Sequence, residues 1–132
     1  RRGAGGNYVN MVVTGYTRSC LNLDDAGTFG LGTASAQGEL FTFTNSFIGG
    51  CTGNTFDDAS GDAYPVSGWY AAGAGNQSGD PQLNGFLPAA GSPVLSGGGV
   101  LADGFFQPTT YRGAFGPGEN WTKDWTVNLP NQ

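Results

Sequence analysis

The residues best suited to chemistry in this 132-residue chain are two acidic pairs, Asp24-Asp25 and Asp57-Asp58, and two cysteines, Cys20 and Cys51. Paired carboxylates can act as general acid and base on a glycoside when they face each other about 6.5–9.5 Å apart across a substrate groove. The rest of such a site is missing. There is no histidine, no lysine lies near either pair, and Arg18 is the one interior arginine of the first repeat. A serine nucleophile would lack a histidine base, and no nucleophile elbow, phosphate loop or dinucleotide fingerprint is present. An Asp-Asp pair more often shapes and solvates a turn, so no catalytic residue is assigned. If Asp24, Asp25, Asp57 and Asp58 stack, four carboxylates would face one another and calcium is the ion that would relieve their repulsion. No EF-hand-like loop accompanies them, and no other cofactor is expected.

Cys20 and Cys51 read first as a disulfide. The alternative is two small buried residues on neighbouring strands, still reduced. Two cysteines without histidine do not make a zinc site. A third group is aromatic: Trp69, Tyr70, Phe105, Phe106, Tyr111, Phe115, Trp121 and Trp125. Flat rings could stack on carbohydrate. They could equally cover the open end of a sheet, whose unpaired edge and apolar interior invite aggregation. The covering role is preferred.

The elements that must position these residues are strands. Glycine supplies 25 residues, charged residues only 11%, and strong helix formers are scarce. This composition favours an all-β fold with many turns. Residues 7–16, NYVNMVVTGY, form an apolar strand whose Tyr8, Val9, Met11, Val12 and Val13 are candidates for assembly. Residues 39–51, ELFTFTNSFIGGC, alternate Phe41 and Phe43 with threonines. The two segments look like copies, with NMVVTG at 10–15 and NSFIGG at 45–50, a shift of 35. Each is followed by a cysteine and then an acidic pair. Such a period signals a solenoid in which every repeat stacks on the next. On this reading residues 1–7 are a glycine-rich lead and 8–99 are rungs, with loop insertions at about 26–38 and 60–79. Residues 100–132 are a capping tail, and the glycines at 3–6 and 96–99 are flexible.

Net charge is −5, and the five basic residues do not cluster. This argues against a nucleic-acid or anionic-membrane partner, and no apolar run is long enough to cross a membrane. The low charge and high Gly, Asn and Thr content suit a secreted or cell-surface protein. The start at Arg-Arg-Gly suits a processed subunit or a fragment of a longer chain. The sequons at Asn76 and Asn120 are read as incidental.

Residues 80–99, DPQLNGFLPAAGSPVLSGGG, resemble the terminal rung of secreted bacterial right-handed parallel β-helix proteins, the pectate-lyase-like superfamily. Asp80-Pro81, Leu83, Gly91-Ser92-Pro93 and Val94 carry the likeness. The following Asp103-Gly104-Phe105-Phe106, Tyr111-Arg112-Gly113-Ala114-Phe115, Asn120-Trp121-Thr122 and Trp125-Thr126 resemble the tail behind that rung. The resemblance implies a short right-handed parallel β-helix of about two to three rungs with an aromatic C-terminal cap. It implies no activity, because the tail accompanies many. Polygalacturonase-type members use aspartate pairs together with His and Arg-Lys motifs that this chain lacks.

The expectation is therefore a non-catalytic extracellular structural protein that self-associates, as a filament, surface-layer or adhesive subunit. The alternative is the C-terminal fragment of a polysaccharide-binding or polysaccharide-degrading β-helix protein, with carbohydrate as its partner.

Overall fold

The computed structural model describes residues 2–101 and 103–124. The fold is all-β, built from short strands with two brief helices. Chain order is β1 (Gly6–Val9), β2 (Val12–Val13), β3 (Ser19–Leu21), α1 (Ala26–Phe29), β4 (Gly32–Thr33) and β5 (Ala36–Gln37). Then follow β6 (Phe41–Thr44), β7 (Phe47–Ile48), β8 (Asn54–Phe56), α2 (Val66–Ala71), β9 (Gln77–Ser78), β10 (Leu83–Asn84) and β11 (Leu87–Pro88). Among the described residues, no helix is long and apolar enough to cross a membrane.

Two passes of the chain lie side by side. β1 pairs in parallel with β6, β2 with β7 and β3 with β8. Tyr8 thus faces Phe43, Val12 faces Phe47 and Ser19 faces Asn54, a constant offset of 35 residues, as in the Met11–Ser46 hydrogen bond. β9 adds a third strand to β7, with Phe47 opposite Gln77. Alternation explains the strands: Phe41 and Phe43 are buried while Thr42 and Thr44 face outward, where Thr42 Oγ1 donates to Asn7 Oδ1 at 2.8 Å.

The corner between the first and second strand of each pass is left-handed. Asn10 has φ 58°, Asn45 φ 49° and Gly75, at the matching place beside β9, φ 71°. Asparagine and glycine tolerate this region best, which explains the recurrent Asn in the repeat. Ser46, fully buried beside the corner, accepts from the Met11 N–H at 3.1 Å and donates to the Thr44 carbonyl at 2.9 Å.

Cys20 and Cys51 form a disulfide with Cα atoms 5.8 Å apart. It joins β3 of the first pass to the second pass. Closing a loop of this size contributes about 3–4 kcal/mol.

Three segments differ from the sequence reading. Residues 26–38 are no plain loop: Asp25 caps α1, and the antiparallel β4–β5 hairpin follows. Residues 60–79 hold α2, six residues long, whose Val66, Trp69 and Tyr70 are buried. A helix this short has little stability of its own, and its place is set by packing of Trp69 on Phe41, ring centroids 4.6 Å apart. Residues 80–99 do not run as another parallel strand. They form the antiparallel β10–β11 hairpin and a 3-10 turn at Pro93–Leu95, which Ser92 caps through the Val94 N–H. The glycines at 97–99 are packed rather than loose. A Cβ on Gly97 would lie 2.3 Å from the Arg112 guanidinium, and one on Gly99 2.4 Å from Asn45 Oδ1.

Candidate functional site

The residues singled out for assembly lie at the edge of the first pass. In a parallel ladder, alternate residues of a strand direct both backbone groups to the same neighbour. Gly6 N–H donates to the Leu40 carbonyl at 2.8 Å, and Asn10 N–H to the Thr44 carbonyl at 3.3 Å. The intervening Asn7 and Val9 therefore turn their N–H and C=O away from β6, and among the described residues β1 has no second strand partner. β2 behaves alike. The Met11 and Val13 carbonyls accept from Phe47 and Gly49, which leaves Val12 facing outward. This edge borders a groove of about 220 Å³. Asn7, Tyr8, Val9, Asn10 and Met11 line one side, and the chain from Gly99 to Leu101 with Phe106 and Gln107 lines the other. None of these lining residues is charged, in a chain of net charge −5.

Tyr8 sits at the mouth of the core. Its ring stacks on Phe43 with centroids 4.7 Å apart and planes at 15°. The residue is 38% exposed where Phe43 is 6%, and it lines the groove.

The outer edge of the second pass carries β9 at β7, and at β6 it is finished by side chains. Phe43 N–H donates to Gln37 Oε1 at 2.8 Å, and the Phe43 carbonyl accepts from Asn76 Nδ2 at 2.8 Å. Asn76 also donates to the Tyr70 carbonyl at 2.8 Å and accepts from Ser46 N–H at 3.1 Å. Its amide is thus fully engaged in holding the fold, although it opens a sequon. Trp69 and Tyr70 close over Phe41 and Phe43, and neither is appreciably exposed. Burial pushes the Tyr70 phenol well above its ordinary range, against the opposing pull of nearby Arg112 and the hydrogen bond to the Gln77 carbonyl.

Sequence reasoning missed Arg112. It is 3% exposed. Its guanidinium donates to the carbonyls of Asn45 (3.1 Å), Gly75 (2.8 Å), Ser96 (2.8 Å) and Pro93 (3.4 Å), and to Gln77 Oε1 (3.1 Å). It therefore fastens the tail across two of the left-handed corners. Desolvation lowers its pKa, while Tyr70 raises it. The one available signal was an arginine set between aromatic and glycine in YRGAF, which reads equally well as an exposed basic residue. Asn10 makes a second fastening: Oδ1 accepts from Gly99 N–H at 2.7 Å, and Nδ2 donates to Thr109 Oγ1 at 3.0 Å.

The four aspartates have separate roles. Asp25 accepts from Thr28 N–H at 3.1 Å and from the Arg2 N–H. Partial desolvation opposes it, but the N–H groups of Arg2, Thr28 and Gly27 hold its carboxyl below the usual carboxylate range. Asp58 accepts from Ser67 N–H at 2.9 Å and from its hydroxyl. Asp57 lies opposite Asn22, whose amide donates to it at 3.0 Å, and 3.6 Å from exposed Arg18. Asp24 borders an open polar hollow with Asp57 and Asp62. The expected gathering of Asp24, Asp25, Asp57 and Asp58 into one cluster is not found. The ladder offset of 35 sets Asn22, not an aspartate, against Asp57. Among the described residues, no group of three or more His, Cys, Asp or Glu side chains is placed to hold a metal ion.

The tail aromatics divide. Phe115 is buried, stacks with Trp121 at 5.4 Å and packs at a tilt on Phe86 at 5.5 Å. Trp121 Nε1 donates to the Ala114 carbonyl at 2.7 Å. Tyr111 Oη donates to Glu119 at 3.4 Å. Phe105 and Phe106 contact each other edge to face, and Phe105 is 81% exposed, so it covers little. Trp125 lies outside the described residues.

Compared with protein-family models, curated proteins and solved structures, the chain finds no match.

Proposed function

We propose that this chain is a non-catalytic structural piece of an extracellular parallel β-solenoid, and that it forms one end of that solenoid. The observation that carries this reading is the contrast between its two edges. Among the described residues, no strand meets the outward backbone of Asn7, Val9 and Val12, and Tyr8 is 38% exposed, whereas side chains complete β6 at Phe43. Support for a coil comes from the constant offset of 35 residues across three strand pairs. The resemblance of residues 103–126 to the tail behind the terminal rung of secreted bacterial β-helix proteins fits a surface setting. A disulfide suits an oxidising compartment.

Head-to-tail filaments need two complementary open faces on each subunit. Side chains occupy the outer backbone of β6 at Phe43, where a repeating subunit would need a second open face, and this favours an end piece over a repeating filament subunit. The polysaccharide-degrading alternative draws little support from the aspartates: Asp25 caps α1, Asp58 is held by Ser67, and Asp57 is held by Asn22 and Arg18. Light scattering and electron micrographs of the purified protein at high concentration test the proposal. Small bounded oligomers formed through the open edge are expected. Fibres of indefinite length would overturn the end-piece role, and persistent monomers would overturn the edge as an assembly surface.

A further inference from the structure

The open edge has a built-in sequence preference. We infer that the first pass accepts one further parallel strand, uncharged, in which an aromatic residue precedes an asparagine or glycine by two positions. The inference rests on the end-piece reading above and names the partner's chemistry.

Three features set that pattern. The existing ladder already aligns Tyr8 with Phe43 and Asn10 with Asn45. A strand that continues it on the free backbone of Asn7 and Val9 meets the same two positions again. The Tyr8 ring, which rests on Phe43 and is 38% exposed, is the surface on which an incoming ring would stack. The corner at Asn10, Asn45 and Gly75 has positive φ in every copy, so a strand following the same path must turn left-handed there. Asparagine and glycine do so readily, whereas a β-branched residue does not. Finally, the groove beside the edge is walled by Val100, Leu101 and Phe106 and holds no charge. A charged strand would lose hydration there without gaining a partner.

The probe is a synthetic peptide of this chain's own second strand pair, FTFTNSFIGG, with two lysines at each end for solubility. Its Asn is replaced by Val in a companion peptide. Binding is measured by fluorescence anisotropy and by the size of the protein in light scattering. The Asn peptide is expected to bind one to one and to dissolve any oligomers, and the Val peptide to bind roughly tenfold more weakly or worse. Val9→Pro removes an outward N–H without touching the β1–β6 ladder. It should fold with an unchanged circular dichroism spectrum and lose peptide binding. Equal binding of the two peptides, or full binding to Val9→Pro, would overturn the inference alone. Oligomers that persist at saturating peptide would also overturn it, because a second copy would then be the preferred occupant. Monomers that bind neither peptide would overturn the end-piece reading together with it.

Discussion

The two passes of the chain share one pattern and one register, yet the outer edges of β1 and β6 are in opposite states. At Phe43 a glutamine and an asparagine amide stand where the next strand would be, and Trp69 and Tyr70 close the apolar interior. At Tyr8, one register step away, no strand among the described residues meets the backbone beside it, and the residue is 38% exposed. A parallel sheet can thus be ended without another strand if polar side chains from neighbouring loops meet the edge and flat rings meet the interior. The difference between the edges comes from segments outside the repeat: the β4–β5 hairpin supplies Gln37, and the loop after α2 supplies Asn76.

Four substitutions or conditions would break or sharpen this contrast. The largest effect is expected at the finished edge. Trp69→Ala should cost about 3–5 kcal/mol in chemical denaturation, since it empties the space over Phe41 and Phe43. A cost below about 1 kcal/mol would mean that α2 is not what closes the core.

Arg112→Met should cost about 2–4 kcal/mol by leaving buried carbonyls without donors. Arg112→Lys should recover little, because an ammonium cannot reach the several carbonyls that the planar guanidinium spans. Equal stability of the Lys and Arg proteins in denaturant titrations would show that charge alone suffices.

Tyr8→Ala should cost only about 1–2 kcal/mol, because much of the ring is already in water. If it matched Trp69→Ala, the first pass would be as closed as the second, and the contrast would fail.

The smallest effect at neutral pH concerns Tyr70. Its folded pKa is raised by burial, so the folded state holds the proton more tightly than the unfolded state. The stabilising contribution is complete below the unfolded value near 10 and declines as pH rises from there towards the higher folded value. Tyr64, also raised by burial, acts in the same direction. Thermal melts from pH 8 to 11.5 should fall steeply at the alkaline end, and Tyr70→Phe should flatten that fall. An unchanged slope in Tyr70→Phe would place the alkaline loss elsewhere.

Much of the strand pairing was legible. The alternation in FTFT and the recurrence of Asn before an apolar pair gave the offset that β1–β6 and β2–β7 adopt. The disulfide was legible from the cysteine count and spacing. The aspartates misled, because Asp24-Asp25 and Asp57-Asp58 are 33 residues apart while the ladder runs at 35. That two-residue slip sends Asp25 to a helix cap and Asp58 to Ser67. α2 was not legible, because a helix of six residues is held by what its rings touch rather than by its own propensity.

By itself the sequence determined the all-β character, the repeat and an asparagine or glycine where the corners turn left-handed. These depend on local properties: side-chain alternation, scarcity of helix formers, and the tolerance of Asn and Gly for positive φ. Only the tertiary structure decided which edge is finished and which is open. That outcome depends on where Gln37, Asn76, Trp69 and Arg112 arrive after long excursions of the chain, as in the 67-residue separation of Arg112 from Asn45. A polar or aromatic residue in a loop carries no local mark of the backbone group it will meet.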